Sequence, residues 1–497
     1  MWKIQILPQN EICFAKDGER LWDVLVKHSN HFLAPCGGKG LCGKCKVKLL
    51  EGMVDGVERD QDGFILSCLA TVKSDLIVEA QQTIGGGLSF FESTEISTDK
   101  SGLGIILDIG TTTVAACLID LKTGEILKKQ TCLNPQGVFG ADVLSRIQAC
   151  GEGHLSDLQK VILRDTAVLI EQLAKGDVIR ELVVAANTTM LHLFLGVDPS
   201  SIGVAPFTPV FTDTKIIKGS DLGLSVDKVR LLPSASAYIG ADVTVGALAC
   251  GLYNELHSSL LVDVGTNGEL VLAHDGKLYA TSTAAGPALE GACIECGMGG
   301  IPGAIDKVEF ENGELVIHTI DSAVAQGICG SGLIDIIAVL VKEGLIDENG
   351  TWDEDCTSTI ACRRKDDRLY LTETIYISQR DIRQFQLAKA AINAGIKTLL
   401  SVCGIDEKAV SNTYIAGGLG YYMDLDNAVK VGLFPKGLLK SMQSVGNSCL
   451  SGARLCLLSD EKQQEVEKLS KEIEIVDLSC SLVFQDAYMD GMGFDVE

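Results

Sequence analysis

No block of Lys or Arg interrupts this chain, and basic residues are scarce: 42 against 66 acidic ones, for a formal net charge of −24. Such a surface repels phosphate backbones and anionic lipid, which argues against nucleic acid and membranes as partners and leaves small ligands and proteins. Also missing is any apolar run near the ~18 residues that a membrane span needs. The best stretch, 332–341, carries Asp335 close to its start. The first seven residues alternate like a strand and lack the apolar core of a signal peptide. A cytoplasmic location is therefore expected. Finally, the Gly-x4-Gly-Lys-Ser/Thr pattern is absent, which excludes a P-loop.

What the chain does have is cysteine, 18 in all, and glycine, 53. In a reducing compartment those thiols are free or ligate metal. Four are spaced in a telling way: Cys36-x5-Cys42-x2-Cys45, then Cys68 after 22 residues. Three thiols on a tight loop and a fourth returning from a distance suit a 2Fe-2S cluster, at a spacing close to the plant-type ferredoxin pattern. Gly37, Gly38, Gly40 and Gly43 let the backbone wrap the centre, and Lys39 and Lys44 add positive charge beside it. A structural zinc site and unligated thiols are the other readings. Zinc sites more often show two short Cys pairs, and here there is one. Strands at 2–7, 12–15, 46–50 and 76–80 with a helix at 19–29 make residues 1–80 resemble the β-grasp ferredoxin fold. Residues 81–103, with three consecutive glycines, read as a flexible linker.

Beyond it one pattern occurs twice. Asp108-Ile109-Gly110-Thr111-Thr112-Thr113 ends an apolar strand, and Asp263-Val264-Gly265-Thr266-Asn267-Gly268 ends another, each followed by a second strand. Such turns offer backbone N–H groups and small donors to phosphates, with the Asp placed to hold a hydrated divalent cation. A third turn, Thr413-Tyr414-Ile415-Ala416-Gly417-Gly418-Leu419-Gly420, ends a strand in bare backbone that a flat nucleoside can approach. Two halves that each open with a phosphate hairpin resemble the superfamily of acetate and sugar kinases, heat-shock chaperone ATPases and actin, which implies ATP between two lobes, 104–255 and 256–497. On that reading Asp108 and Asp263 belong to the Mg²⁺ shell through water. Gly110, Thr111, Thr112, Thr113, Gly265, Thr266, Asn267 and Gly268 cradle phosphates, and Gly417, Gly418 and Gly420 face adenosine. Glu269 either orients a hydrolytic water or is a plain surface carboxylate.

Cys293-x2-Cys296 could form half of a metal site with Cys329, but no fourth ligand presents itself, so small buried thiols are the better reading. His192 sits among apolar residues and reads as a core histidine. Ser378-Gln379-Arg380-Asp381 reads as a capping box opening a long helix. On that helix Lys389 reads as a solvated side chain, with an adenine or phosphate contact as the lesser option.

A ferredoxin-like domain ahead of an actin-like ATPase is similar to the reductive activators of corrinoid-dependent enzymes. So are Asn134-Pro135-Gln136-Gly137-Val138-Phe139-Gly140-Ala141-Asp142-Val143, Ala186-Asn187-Thr188-Thr189-Met190, Ala205-Pro206-Phe207 and Gly327-Ile328-Cys329-Gly330-Ser331-Gly332. The resemblance implies ATP-dependent reduction of a Co(II) corrinoid protein to Co(I), a low-potential electron donor and a homodimer. Some members carry a further domain before the ATPase, for which the linker leaves no room. Two other functions compete: an ATP-driven electron injector for a radical dehydratase, with its cluster on cysteines of the actin-like part, and a small-molecule kinase.

Overall fold

The computed structural model describes residues 1–7, 10–28, 45–60, 63–79, 98–254, 257–419 and 423–495. Cys36, Cys42 and Gly420 lie outside them, as do the glycine-rich wrap around the cysteines and residues 81–97 of the expected linker.

The N-terminal unit is a five-stranded sheet with one helix. Its elements are β1 (Trp2–Leu7), β2 (Glu11–Ala15), α1 (Leu21–His28), β3 (Lys46–Glu51), β4 (Phe64–Leu66) and β5 (Leu76–Glu79), in the sheet order β2-β1-β5-β3-β4. Alternation along β1 sends Ile4 and Ile6 to the same face, where both are fully buried. Leu21, Val24 and Leu25 of α1 recur at helical spacing and close that core.

Two six-stranded sheets follow, built on one plan. The first uses β6 (Leu103–Ile109), β7 (Thr113–Asp120), β8 (Ile126–Leu133), β9 (Ile179–Ala186), β10 (Lys215–Lys218) and β11 (Val226–Leu231), in the order β8-β7-β6-β9-β11-β10. The second uses β12 (Ser258–Val264), β13 (Gly268–His274), β14 (Lys277–Thr283), β15 (Val410–Ala416), β16 (Met442–Gly446) and β17 (Ile473–Ile475), in the order β16-β15-β12-β13-β14-β17. In both, an antiparallel meander opens the sheet, and the first strand then pairs in parallel with a strand much later in the chain. β6 and β12 are central and covered on both faces, which is why they read as continuous apolar runs.

A matching helix follows β11 and β16: α5 (Ala241–Ala249) and α8 (Ser448–Leu458); α2 (Val143–Ala149), α3 (Leu155–Ala174) and α4 (Thr188–Leu195) precede α5, and α6 (Gly330–Lys342) and α7 (Gln379–Cys403) lie between α5 and α8 in the chain. α5 packs against α8, and only glycine fits the crossing. A Cβ on Gly452 would lie 2.0 Å from the Val245 carbonyl oxygen, and one on Gly246 2.7 Å from Ser448 Oγ. Close backbone approach of this kind excludes any larger residue. The crossing brings both helix N-termini toward the hairpins.

Two helices have sharply set starts. α5 begins at Ala241, because Gly240 before it is in an extended conformation. α2 begins at Val143, because the Asp142 carboxylate accepts from the backbone N–H of Ser145 and fixes the first turn, and a π-helical turn over Cys150–His154 carries the chain on into α3. At α7 the expected capping box is present: Ser378 accepts from the Asp381 N–H and Asp381 from the Ser378 N–H.

Candidate active site

Both hairpins open onto one cleft of ≈ 360 Å³ between the sheets. Asp108, Gly110, Thr111, Thr112 and Thr113 line it from β6 and β7, and Asp263, Gly265, Thr266, Asn267 and Glu269 from β12 and β13, with Gly417 and Gly418 at the end of β15. Gly268 is the first residue of β13, buried at the base of its hairpin.

The first hairpin is held from outside its own sheet. Asn134 donates from Nδ2 to the Gly110 carbonyl at 2.7 Å, and its backbone N–H bonds the Thr112 carbonyl at 2.8 Å. Arg146, 1% exposed, donates to the carbonyls of Thr111 and Gly140 and faces Met190 Sδ. It does so without a carboxylate among its hydrogen-bond partners, and burial pulls its guanidinium down to about 9. Asn187, the N-cap of α4, donates from Nδ2 toward Thr111 Oγ1 at 3.5 Å. With its carbonyls so engaged, the turn is free to present N–H and hydroxyl groups to the cleft.

Glycine at 417 is obligatory. Its φ is +92°, and a Cβ there would lie 2.6 Å from the Val264 carbonyl oxygen and 3.0 Å from Asp263 Oδ1. Gly418 has open space where a side chain would stand, as a planar group stacking on backbone requires.

The cleft is crowded with carboxylates. Asp242, from the first turn of α5, and Glu290 join Asp108, Asp263 and Glu269 in its lining. Burial, then the neighbouring Asp108, pushes Asp242 and Asp263 up to about 7. Burial also raises Glu269 well above its usual range, with Asp242 and Asp263 adding to it, so it is no ordinary surface carboxylate. Its Oε1 accepts from Ser282 Oγ at 3.4 Å. Glu290 Oε2 joins the two hairpins directly, accepting from Thr266 Oγ1 at 2.7 Å and Thr112 Oγ1 at 3.3 Å. Such a cluster is starved of positive charge; a cation entering with an anionic ligand would relieve it.

Asp242, Glu290, Asn447 and Arg146 escape a motif search, because each comes from a separate segment. The Asn134 and Asn187 stretches stand out in the sequence, but only the fold shows that both hold the first hairpin.

In the N-terminal unit, Cys45 Sγ and Cys68 Sγ converge to 3.1 Å. Both side chains are buried, and Ser67 ties the two segments by donating from N and Oγ to the Cys45 carbonyl at 3.0 and 2.9 Å. Two thiols this close, inside a wall of protein, suit two ligands of one iron.

Of the remaining candidates, Cys329 is buried beside the Ile305 carbonyl and Ser331 Oγ, whereas Cys293 is exposed and Cys296 half-buried. The reading of all three as buried thiols is therefore wrong for Cys293, which stands in a turn of the outer surface. Among the described residues no set of three His, Cys, Asp or Glu side chains converges as a direct metal site, and no helix is long and apolar enough to cross a membrane. His192 is a core residue as expected. Nδ1 donates to the Thr188 carbonyl at 2.7 Å and Nε2 accepts from the Val210 N–H at 3.1 Å, which fixes a neutral ring. Lys389 is neither solvated nor at the cleft. It is 1% exposed, donates to the carbonyls of Gly491 and Gly493, and sits 4.5 Å from the Phe494 ring centre. The C-terminal segment folds back over α7 and needs those donors.

A ferredoxin-like unit joined to a two-lobed actin-like nucleotide-binding body defines the class of this protein, and comparison with known proteins agrees. Residues 4–73 match the 2Fe-2S iron-sulfur cluster binding domain, 103–255 the RACo middle region, and 257–496 the C-terminal domain of RACo, the ASKHA domain. The chain is 36% identical over 428 residues to the corrinoid activation enzyme RamQ of Eubacterium limosum, covering 81% of this chain and 72% of that protein. It is 26% identical over 426 residues to the [Co(II) methylated amine-specific corrinoid protein] reductase of Methanosarcina barkeri, covering 78% and 76%. A solved reductive activator for a corrinoid, iron-sulfur protein superposes with a TM-score of 0.73 at 28% identity, over 99% of this chain and 98% of that one. The chain belongs to the family of ATP-dependent reductive activators of corrinoid proteins.

Proposed function

We propose that this chain uses ATP to drive one electron from its N-terminal cluster onto the Co(II) corrinoid of a partner protein, giving Co(I). The observation that carries this reading is Glu290 joined to a threonine of each phosphate hairpin. A nucleotide whose phosphates enter between Thr112 and Thr266 must loosen that bridge, so occupancy of the cleft and the separation of the lobes are coupled.

Cys36, Cys42, Cys45 and Cys68 would hold the 2Fe-2S group, which when bound supplies a single electron at about −400 mV if it is of plant type. The Co(II)/Co(I) step lies lower, so the transfer is uphill. A nucleotide-dependent preference of ~5.5 kcal/mol between two lobe arrangements would offset about 240 mV for one electron. The switch is therefore of the right size.

The cleft divides the work. Asp108, Asp242 and Asp263 would take Mg²⁺ through water, with the phosphates completing its shell. Glu290, whose carboxyl is raised by burial, and Glu269 are placed to accept a proton from a hydrolytic water. A physical link to the redox unit also exists. Val138 packs against Trp22, Cys45 and Cys68, and four residues earlier Asn134 holds the Gly110 carbonyl of the hairpin. We place the chain in the reducing cytoplasm, where its thiols stay free or ligate metal. A homodimer and a separate low-potential donor complete the proposal.

The test is anaerobic mixing with a Co(II) corrinoid protein, reductant and ATP, following the corrinoid spectrum. Co(I) should form only with protein and ATP together. Equal rates with ADP or without nucleotide would sink the coupling.

A further inference from the structure

Trp22 is 4% exposed, and its indole Nε1–H is buried with no hydrogen-bond partner. A buried donor left unpaired costs about 1–3 kcal/mol, and few native ones stay so without a reason. The surroundings supply the reason. The ring packs in one small cluster with Cys45 and Cys68, the converging thiols, and Val138 closes that cluster from the first lobe.

The position of the ring is fixed rather than incidental. The Trp22 backbone N–H bonds the Ser67 carbonyl at 3.0 Å, one residue before Cys68, and the Leu21 N–H bonds the Ala70 carbonyl at 2.8 Å. Above the ring lies the Arg20 guanidinium, 5.1 Å from its centre, itself held by both carboxylate oxygens of Asp23 at 3.0 and 2.6 Å. Backbone bonds below and a guanidinium above leave the indole little freedom to turn. With Val138 packed against the same cluster, the ring is shielded from water.

We propose that the Trp22 Nε1–H is a hydrogen-bond donor to an inorganic sulfide of the iron centre held by Cys45 and Cys68, neither of whose own sulfurs accepts from it. This rests on the reading of that thiol set as a cluster site. A donor to cluster sulfur stabilises the reduced, more negative state, and hydrogen bonds of this kind are among the means by which a protein sets the potential of such a centre. Trp22 thus acts as a positioning residue that tunes the electron source, holding it at a potential its donor can reach while the nucleotide switch provides the rest of the drive.

The experiment uses the full-length protein with its cluster. Trp22→Phe keeps an aromatic plate and removes only the donor. Expected is a cluster of unchanged iron content that is about tenfold harder to reduce, ~59 mV lower in a spectroelectrochemical titration. Independently of any variant, the chain carrying ¹⁵N-indole tryptophan, with only three Trp residues to consider, should show a ¹⁵N coupling to the reduced cluster in pulsed EPR. A two-iron cluster with no ¹⁵N coupling overturns this inference alone. A protein that binds no iron overturns the cluster reading and the inference with it. If Trp22→Phe fails to hold a cluster, the labelled parent still decides.

Discussion

Asn447 donates from Nδ2 to Oδ2 of Asp108 at 2.8 Å, joining residues 339 positions apart. The amide comes from the N-cap of α8 and the carboxylate from the end of β6. Burial pushes the Asp108 carboxyl up, and this hydrogen bond is the largest influence pulling it back. Asn447→Leu therefore leaves Asp108 more readily protonated and less able to hold a hydrated cation. Affinity for Mg–ATP should fall about tenfold, in line with the ~1.5–3 kcal/mol of hydrogen bonds to charged groups, whereas metal-free nucleotide should bind nearly as before. A calorimetric titration with and without Mg²⁺ separates the two.

Glu290 is the second test. Replacing it by Gln keeps the shape that spans Thr112 and Thr266 and removes the proton acceptor and one negative charge from the cleft. ATP should bind at least as tightly, while hydrolysis should slow by about 10²-fold or more. Glu269→Gln, measured beside it, shows which carboxylate serves the water. Unchanged turnover in the Glu290 variant would remove that residue from the chemistry.

The pH dependence follows from Asp242 and Asp263, both held up to about 7 by burial and by nearby Asp108. Their folded values lie above the ~3.9 of an unfolded Asp, so the fold prefers them protonated. Without ligand their contribution to stability is fully present below about 4 and is lost as pH rises to about 7. A divalent cation demands the ionised form. Mg–ATP affinity should accordingly climb as pH rises toward about 7 and then level off, and binding at pH 6 should release protons. Calorimetry in two buffers of different ionisation enthalpy measures that release.

Lys389 gives a stability test away from the cleft. Burial lowers its ammonium to about 8, against the usual ~10.4. An unfolded chain then binds more protons than the folded one between those values, so this side chain makes stability rise with pH across that window. Lys389→Met keeps the volume and should abolish that rise. It should also release the segment around Phe494, seen as faster hydrogen exchange at residues 491–494, with ATP binding unaffected.

How much of this was legible in the sequence depends on the range of each interaction. The two D-x-G-T hairpins, the glycine turn after β15 and the Ser378 cap are local, with every residue that matters within a few positions. Gly417 could be read because only glycine tolerates that backbone, and His192 because its neighbours are apolar. Lys389 was misread, since a lysine on a helix looks solvated until the partner covering it is known. That partner comes from the far C-terminus.

The amino-acid order therefore determined the paired D-x-G-T turns, the cysteine spacing and the division into a ferredoxin-like unit and an actin-like body. Strand periodicity, turn chemistry and ligand spacing are properties of short segments. Only the tertiary structure decided which carboxylates share a cleft with those turns, that Glu290 spans them, that Asn447 reaches Asp108, and that an unpaired indole lies against two of the cysteines. Those relationships join residues tens to hundreds of positions apart. Those in the cleft arise where α5 and α8 cross at Gly246 and Gly452, the indole's from backbone bonds of Leu21 and Trp22 to Ala70 and Ser67, and no local pattern encodes them.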